Sequence, residues 1–266
     1  MIPVIFIHKG DHDYLTVAIE QAKLRNEQVV LLHEPKGLWG KDYEHMNTNL
    51  PGFEVFCFQR WFSLLEWMDE TNREEAFYCD SDVMLYCNVT EVVRSWPPCT
   101  VSFQVPYEQW AYRWGASAHC SYWTHDELAA FCQFIDCTYK GDKMRLKEKW
   151  QWHRETGTPG GVCDMTLLYL WLEERGMEGF VNNAQVIDGT TFDHNINVAE
   201  NYWPQEYRML DGMKEAWMST HPRIMPLSVG IDAPWGYNNE LNAKIIFHAL
   251  HFQGLHRKQL MKEYRG

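Results

Sequence analysis

The 266-residue chain has no apolar run approaching the ~18 residues a membrane-spanning helix requires. Its opening, MIPVIFIHKG, lacks a basic leader segment, and its apolar stretch is too short for a secretory signal, so it reads as a first strand. Both absences lead to the expectation of a soluble protein that works in the cytoplasm. Positive charge is scarce as well. The 24 Lys and Arg face 36 Asp and Glu, and the formal net charge of -12 excludes a basic nucleic-acid surface. The eight cysteines (57, 79, 87, 99, 120, 132, 137 and 163) contain no C-x-x-C spacing, which argues for reduced core thiols over a disulfide frame or zinc site. Repeats, low-complexity tracts and long linkers are also missing. One domain is expected, with two halves, 1–100 and 101–266, around a cleft.

What the chain does have is apolar and aromatic mass: 45% hydrophobic residues and 15% aromatics, 13 of them Trp. Most of the aromatics are expected in the core, and the surplus also suits a site that stacks a base or sugar ring. VIFIH (4–8) and VVLLH (29–33) read as buried strands around a helix that carries Leu15, Ala18, Ile19 and Ala22 on one face. A strand–helix–strand unit this short predicts a parallel sheet with a right-handed crossover. EVFCF (54–58) reads as a third strand, 60–70 as an amphipathic helix, and AFYCDSDVMLY as a fourth strand. Further on, TVSFQV (100–105) reads as a strand. A Thr124–Glu127 capping box then opens a helix with Leu128, Phe131 and Ile135 inward. A Gly-rich turn at 158–165 runs into an apolar helix, and FVNNAQVID and AKIIFHALHFQG add late strands. The fold class is therefore α/β, with a Rossmann-like, mostly parallel central sheet flanked by helices. Ligands of such sheets sit beyond the carboxyl ends of the strands.

Two aspartates stand at one such end, in FYCDSDVMLY. Side chains two apart on an extended segment point the same way, so Asp80 and Asp82 converge while Ser81 faces away. Paired carboxylates repel each other and are costly to bury, and a hard divalent cation, Mn²⁺ or Mg²⁺, offsets both effects. Such an ion would also let an acidic protein bind a diphosphate. On its own the D-x-D pattern is equally an ordinary solvated turn. The apolar segments on both sides favour the metal.

The segment RWFSLLEWMDETNREEAFYCDSDVMLY resembles the donor-metal segment of GT-A glycosyltransferases, and LHFQGLHRK (250–258) is similar to the H-x-x-G-x-x-K element of glycogenin-like members. The resemblance implies a GT-A-type fold and a metal-dependent glycosyltransferase. Its partners would be a nucleotide-sugar donor, a UDP-sugar favoured, and a glycan or other hydroxyl acceptor. It implies Asp80, Asp82 and His251 as metal ligands, with Gly254 admitting the diphosphate. The element's closing Lys is replaced by Arg257 followed by Lys258, so either could neutralise phosphate. His8, Gly10 and Tyr14 lie where the family holds base and ribose, though a plain turn with a surface aromatic fits them as well. Ser81, Arg60 and Gly161 complete the donor set, with Arg60 either reaching the nucleotide or merely pairing with a carboxylate.

Asp164 opens the apolar helix, either as a catalytic base for the acceptor hydroxyl or as a helix cap. Glycogenin-like His-x-x-Gly leans toward retention of configuration and Gly-Gly-x-x-Asp toward inversion. Asp193 and His194, in FDHN, are candidates for acceptor contact. His248, three before His251, faces the other side of a strand and is the weaker ligand. The basic 140–154 stretch is either a lid or a solvated helix face. Two other classes compete with the transferase. A haloacid-dehalogenase-type phosphohydrolase also uses D-x-D but has Thr or Val where this chain has Met84. A non-enzymatic carbohydrate-binding protein would explain the aromatics alone.

Overall fold

The computed structural model describes residues 1–33, 39–105, 111–112, 114–192, 233–238 and 241–265. β1 (Val4–His8) is buried along its whole length. It lies between β2 (Val29–His33) and β3 (Glu75–Cys79) and runs parallel to both. β6 (Ser117–Thr124) is antiparallel to β3 and to β5 (Val101–Gln104), and β7 (Phe180–Asn182) is parallel to β5. The sheet order is β2-β1-β3-β6-β5-β7. Parallel pairs therefore outnumber antiparallel ones, and the expected α/β class is the observed one.

An uninterrupted apolar strand fits a sheet covered on both faces. Val4 and Phe6 enter one core with Ala18 and Ala22 of α1 (Asp13–Lys23). Ile5 and Ile7 enter the other, with Trp61 and Leu64 of α2 (Pro51–Thr71), Phe131 of α4 (His125–Lys140) and Leu167 of α6 (Asp164–Arg175). A separate two-stranded sheet pairs β4 (Val83–Leu85) with β11 (Ala249–His251), and β8 (Thr190–Thr191), β10 (Ala243–Phe247) and β9 (Trp235–Asn238) form a third.

Four local expectations need correction. EVFCF is not a strand, because Pro51 opens a 21-residue helix through it. The inward positions 54, 57, 61, 64 and 68 step by three and four, the helical period. AFYCDSDVMLY is two strands with a turn at Asp80, closed by Val83 N–H to Asp80 O at 3.1 Å. Thr124 precedes α4 but its side chain caps nothing, while Glu127 is drawn away by Thr100 and Arg175. The central strand β6 was not foreseen. Its Ser117, His119 and Ser121 are buried and hydrogen-bonded, His119 to Ser117 at 2.9 Å and to Gln104 at 3.3 Å.

α5 (Met144–Thr156) carries most of the basic stretch, with Arg145 paired to Glu173 and Lys149 buried against the Tyr112 carbonyl. All eight cysteines are free, five of them buried and Cys137 exposed. Among the described residues, no helix is long and apolar enough to cross a membrane.

Gly161 marks the tightest backbone approach. It sits at φ +147°, and a Cβ there would stand 2.2 Å from the Met46 carbonyl oxygen. Gly161→Ala is therefore expected to cost about 2–4 kcal/mol, read from urea unfolding, since neither backbone can yield cheaply.

Candidate metal and donor site

The site begins where β3 stops. Asp80 N–H donates to the His119 carbonyl at 2.7 Å, and the turn that follows, not strand alternation, brings Asp80 and Asp82 together. The third member arrives from the far end of the chain. β11 runs antiparallel to β4 with His251 opposite Val83, and Phe252 N–H donates to Asp82 O at 2.9 Å. Asp80, Asp82 and His251 thus each offer a ligand atom within 4.8 Å of the others. His248 lies away from them against Phe192, and burial pushes its pKa down to about 4.

Each carboxylate already has a cation. Lys258 Nζ is 3.0 Å from Asp82 Oδ2, and His251 Nε2 is 3.3 Å from Oδ1. Burial works against the charged form of Asp82, but His251 and Lys258 outweigh it and hold the carboxyl well below the usual range. Asp80 Oδ1 receives Arg60 at 2.6 Å and the Tyr78 hydroxyl at 2.5 Å. Its pKa is raised, chiefly by burial, with Arg60 opposing and the like charge of Asp82 adding to the rise. Two hard carboxylates and an imidazole form a donor set suited to Mn²⁺ or Mg²⁺, and a cation between the carboxylates would remove the repulsion that raises Asp80.

Arg60 reaches further. Its second nitrogen donates to Asp164 Oδ2 at 2.5 Å, and that oxygen also accepts Trp61 Nε1–H at 3.1 Å. Asp164 Oδ1 accepts the Met165 N–H at 2.9 Å. Asp164 is thus the first residue of α6, with Cys163 at the cap position, and both of its oxygens are engaged.

Arg60, Tyr78, Asp80, Asp82, Asp164, His251 and Lys258 line one cleft of about 790 Å³. His8 and Tyr14 line it as expected, with Lys9 and His12 beside them. His8 and His12 share a 2.7 Å hydrogen bond, and burial lowers the His8 pKa, helped by His12 and Lys258. Lys258 Nζ lies 4.4 Å from the centre of the Tyr14 ring, so the pair joins the two ends of the donor side. Ser81 lines the cleft too, although strand geometry had turned it away. Gly254 lines it at φ +89°, at the head of α7 (Leu255–Lys258). Between the two basic candidates, Lys258 faces the cleft and Arg257 does not line it.

Three expectations do not reach the cleft. Gly10 serves the β1–α1 turn at φ +86°, and Gly161 serves the approach to Met46 and Asn47. No residue of 140–154 lines the cleft, so that stretch reads as a solvated face with some buried anchors. Asp193 and His194 lie outside the described residues. Sequence reasoning missed Tyr78, Asn49, Phe53 and Glu54, all of which line the cleft. The helical stripe through 54, 57, 61, 64 and 68 carried the signal for Glu54.

No protein-family model and no curated protein matches the chain. Solved structures do. One is a glycosyltransferase involved in glycosylation of the major capsid of PBCV-1, at 11% identity and TM-score 0.46 over 98% of each chain. Another is the galactosyltransferase LgtC with donor and acceptor sugar analogues, at 12% and 0.47 over 95% of this chain and 87% of that one. A third is mouse xyloside xylosyltransferase 1, at 8% and 0.41 over 70% and 88%. These neighbours are glycosyltransferases, the class that the D-x-D and His-x-x-Gly elements resemble. At such identity and overlap the likenesses carry no functional argument, which must come from the site.

Two outcomes follow from its charges. Arg60→Met, which strands two carboxylates, should lower stability by about 3–5 kcal/mol in urea at neutral pH. Asp82 has a folded pKa below its unfolded value of about 3.9, so its stabilisation is complete above that value and is lost as acid approaches the folded pKa. The stability gap between the wild type and Asp82→Asn should therefore hold constant from neutral pH down to about 5 and close below about 4.

Proposed function

We propose that this protein is a metal-dependent glycosyltransferase that moves a sugar from a nucleoside-diphosphate sugar, a uridine donor favoured, to a hydroxyl of a glycan or other acceptor. The observation that carries the reading is the convergence of Asp80, Asp82, His251 and Lys258 in one cleft from opposite ends of the chain. Asp80, Asp82 and His251 would hold Mn²⁺ or Mg²⁺. When bound, the ion supplies charge neutralisation for a diphosphate leaving group.

The chain's own groups divide the remaining work. Lys258 places an ammonium where a diphosphate would lie, and Gly254 leaves the backbone open beside it. Tyr14, His8 and His12 form the end suited to base and ribose, and Ser81 adds a hydroxyl at the rim. Arg60 and Asp164 stand beyond Asp80, at the end suited to the transferring sugar. With three N–H donors on its carboxylate, Asp164 is best read as a positioning group that fixes Arg60. To act as a base it would first have to release a donor.

The phosphohydrolase reading fits less well, because Asp80, the nucleophile it requires, is held on one oxygen by both Arg60 and Tyr78. A carbohydrate-binding protein would not turn over a donor. Incubation with a panel of nucleotide sugars and Mn²⁺ should release nucleoside diphosphate from one or two of them. Release should stop with chelator and fall at least about 100-fold in Asp82→Asn. Full release by Asp82→Asn, or release untouched by chelator, would remove the metal role.

A further inference from the structure

The first turn of α2 holds a carboxyl that the donor site does not use. Glu54 is 1% exposed and lines the cleft. Its Oε1 accepts Asn49 Nδ2–H at 2.7 Å, while its buried Oε2 has no hydrogen-bond partner among the described residues. A buried polar atom left unmatched is rare in a folded protein and points to a ligand or water that completes it. One residue earlier, Phe53 lines the same cleft and is 57% exposed, which leaves its ring open to something bound there.

Position in the cleft decides what that something is. From the Tyr14 end the contacts run Tyr14 to Lys258, Lys258 to Asp82, across the carboxylate pair to Asp80, then through Arg60 to Asp164. Glu54 shares α2 with Arg60 and is near enough to Asp164 and Arg60 to feel their charges, which puts it on the Arg60–Asp164 side of the cleft. Polyhydroxylated rings are bound by this pairing of an aromatic face with a buried carboxylate, one taking the C–H face and the other a hydroxyl.

We propose that Phe53 and Glu54 form the acceptor subsite, Phe53 stacking on a sugar ring and Glu54 Oε2 accepting a hydrogen bond from one of its hydroxyls, directly or through one water. This rests on the glycosyltransferase reading above. It places acceptor recognition on α2, in addition to the sequence candidates Asp193 and His194.

The ionisation of Glu54 supports the assignment. Burial pushes its pKa up to about 7, Asn49 opposing and the charge of Asp164 adding to the rise. Arg60 and Cys57 from its own helix, Tyr43 from the preceding segment, Tyr139 from α4, and Cys163 with Asp164 from α6 are the titratable groups that face it. The carboxylate accepts the hydroxyl better than the neutral acid does, so acceptor binding should strengthen as pH rises through about 7 and level off above.

The test assays wild type, Glu54→Gln and Phe53→Ala for nucleoside diphosphate release from the UDP-sugar the wild type turns over, with Mn²⁺. Water is the first acceptor, followed by the methyl glycosides of glucose, galactose and xylose, and by lactose. The donor KM and release into water should stay within about two-fold, while the acceptor KM rises about ten-fold or more in both variants. In Glu54→Gln the pH step near 7 should vanish, a change that a merely structural role would not produce. An unchanged acceptor KM, a retained pH step, or loss of donor binding in step with acceptor binding overturns the proposal. So does a wild type that turns over the donor but uses none of these sugars. A wild type that releases nothing from any nucleotide sugar overturns the underlying reading instead.

Discussion

Arg60 donates one guanidinium nitrogen to Asp80 and the other to Asp164, and much of the site depends on that fork. It ties three elements together: α2, the turn after β3 and the start of α6. The group is buried, stacked 4.8 Å from the Trp61 ring and 5.3 Å from that of Tyr78. A guanidinium is the cation suited to this place, since it stays charged, forks to two carboxylates and tolerates aromatic faces better than an ammonium. Arg60 and Asp164 are almost wholly buried, so each of their charges would be costly without the other. On the other side of the carboxylate pair, Lys258 and His251 do the same for Asp82. The cluster is close to neutral before any ligand enters, which lets an acidic chain keep acidic oxygens at the floor of a cleft.

That neutrality explains why two neighbouring aspartates behave differently. Asp82, between His251 and Lys258, is held ionised. Asp80 has comparable burial and a single strong cation shared with Asp164, and it feels its neighbour's charge. The asymmetry follows from the cations on each side, two around Asp82 and a shared one at Asp80.

Legibility in the sequence followed physical locality. β1, α1 and β2 were readable because each is a local pattern, a run of apolar residues in the strands and a helical stripe in α1. The carboxylate pair was readable for the same reason, its two members being two residues apart. His251 could be placed only through the resemblance, since nothing local at LHFQG reveals a strand partner at 83–85. β6 escaped because its buried Ser117, His119 and Ser121 look solvent-facing until their hydrogen-bond partners are known. EVFCF was misread because β-branched and aromatic residues over five positions resemble a strand. The helical period appears only over the full span from Pro51 to Met68, where Glu54 takes an inward place that no propensity assigns to a glutamate.

The three candidate ligands, Asp80, Asp82 and His251, come from distant parts of the sequence, so their cluster does not exist in any contiguous piece of the chain. Closing the β4–β11 pair costs the entropy of a loop of more than 160 residues, a cost that grows only logarithmically with length and is offset by packing along the way. The same closure delivers Lys258 and Gly254, which follow His251 within one short turn. A ligand that binds across Asp82 and His251 therefore grips the two ends of the fold at once, and its binding free energy adds to the stability of the whole. Ligand binding at this cluster and global folding would in that sense be one equilibrium. Phe53 and Glu54, proposed here for the acceptor, are different, because they lie within one helical turn and are placed by α2 alone. On that proposal, acceptor preference would change by substitutions at the head of one helix while the carboxylate, imidazole and ammonium cluster stayed intact.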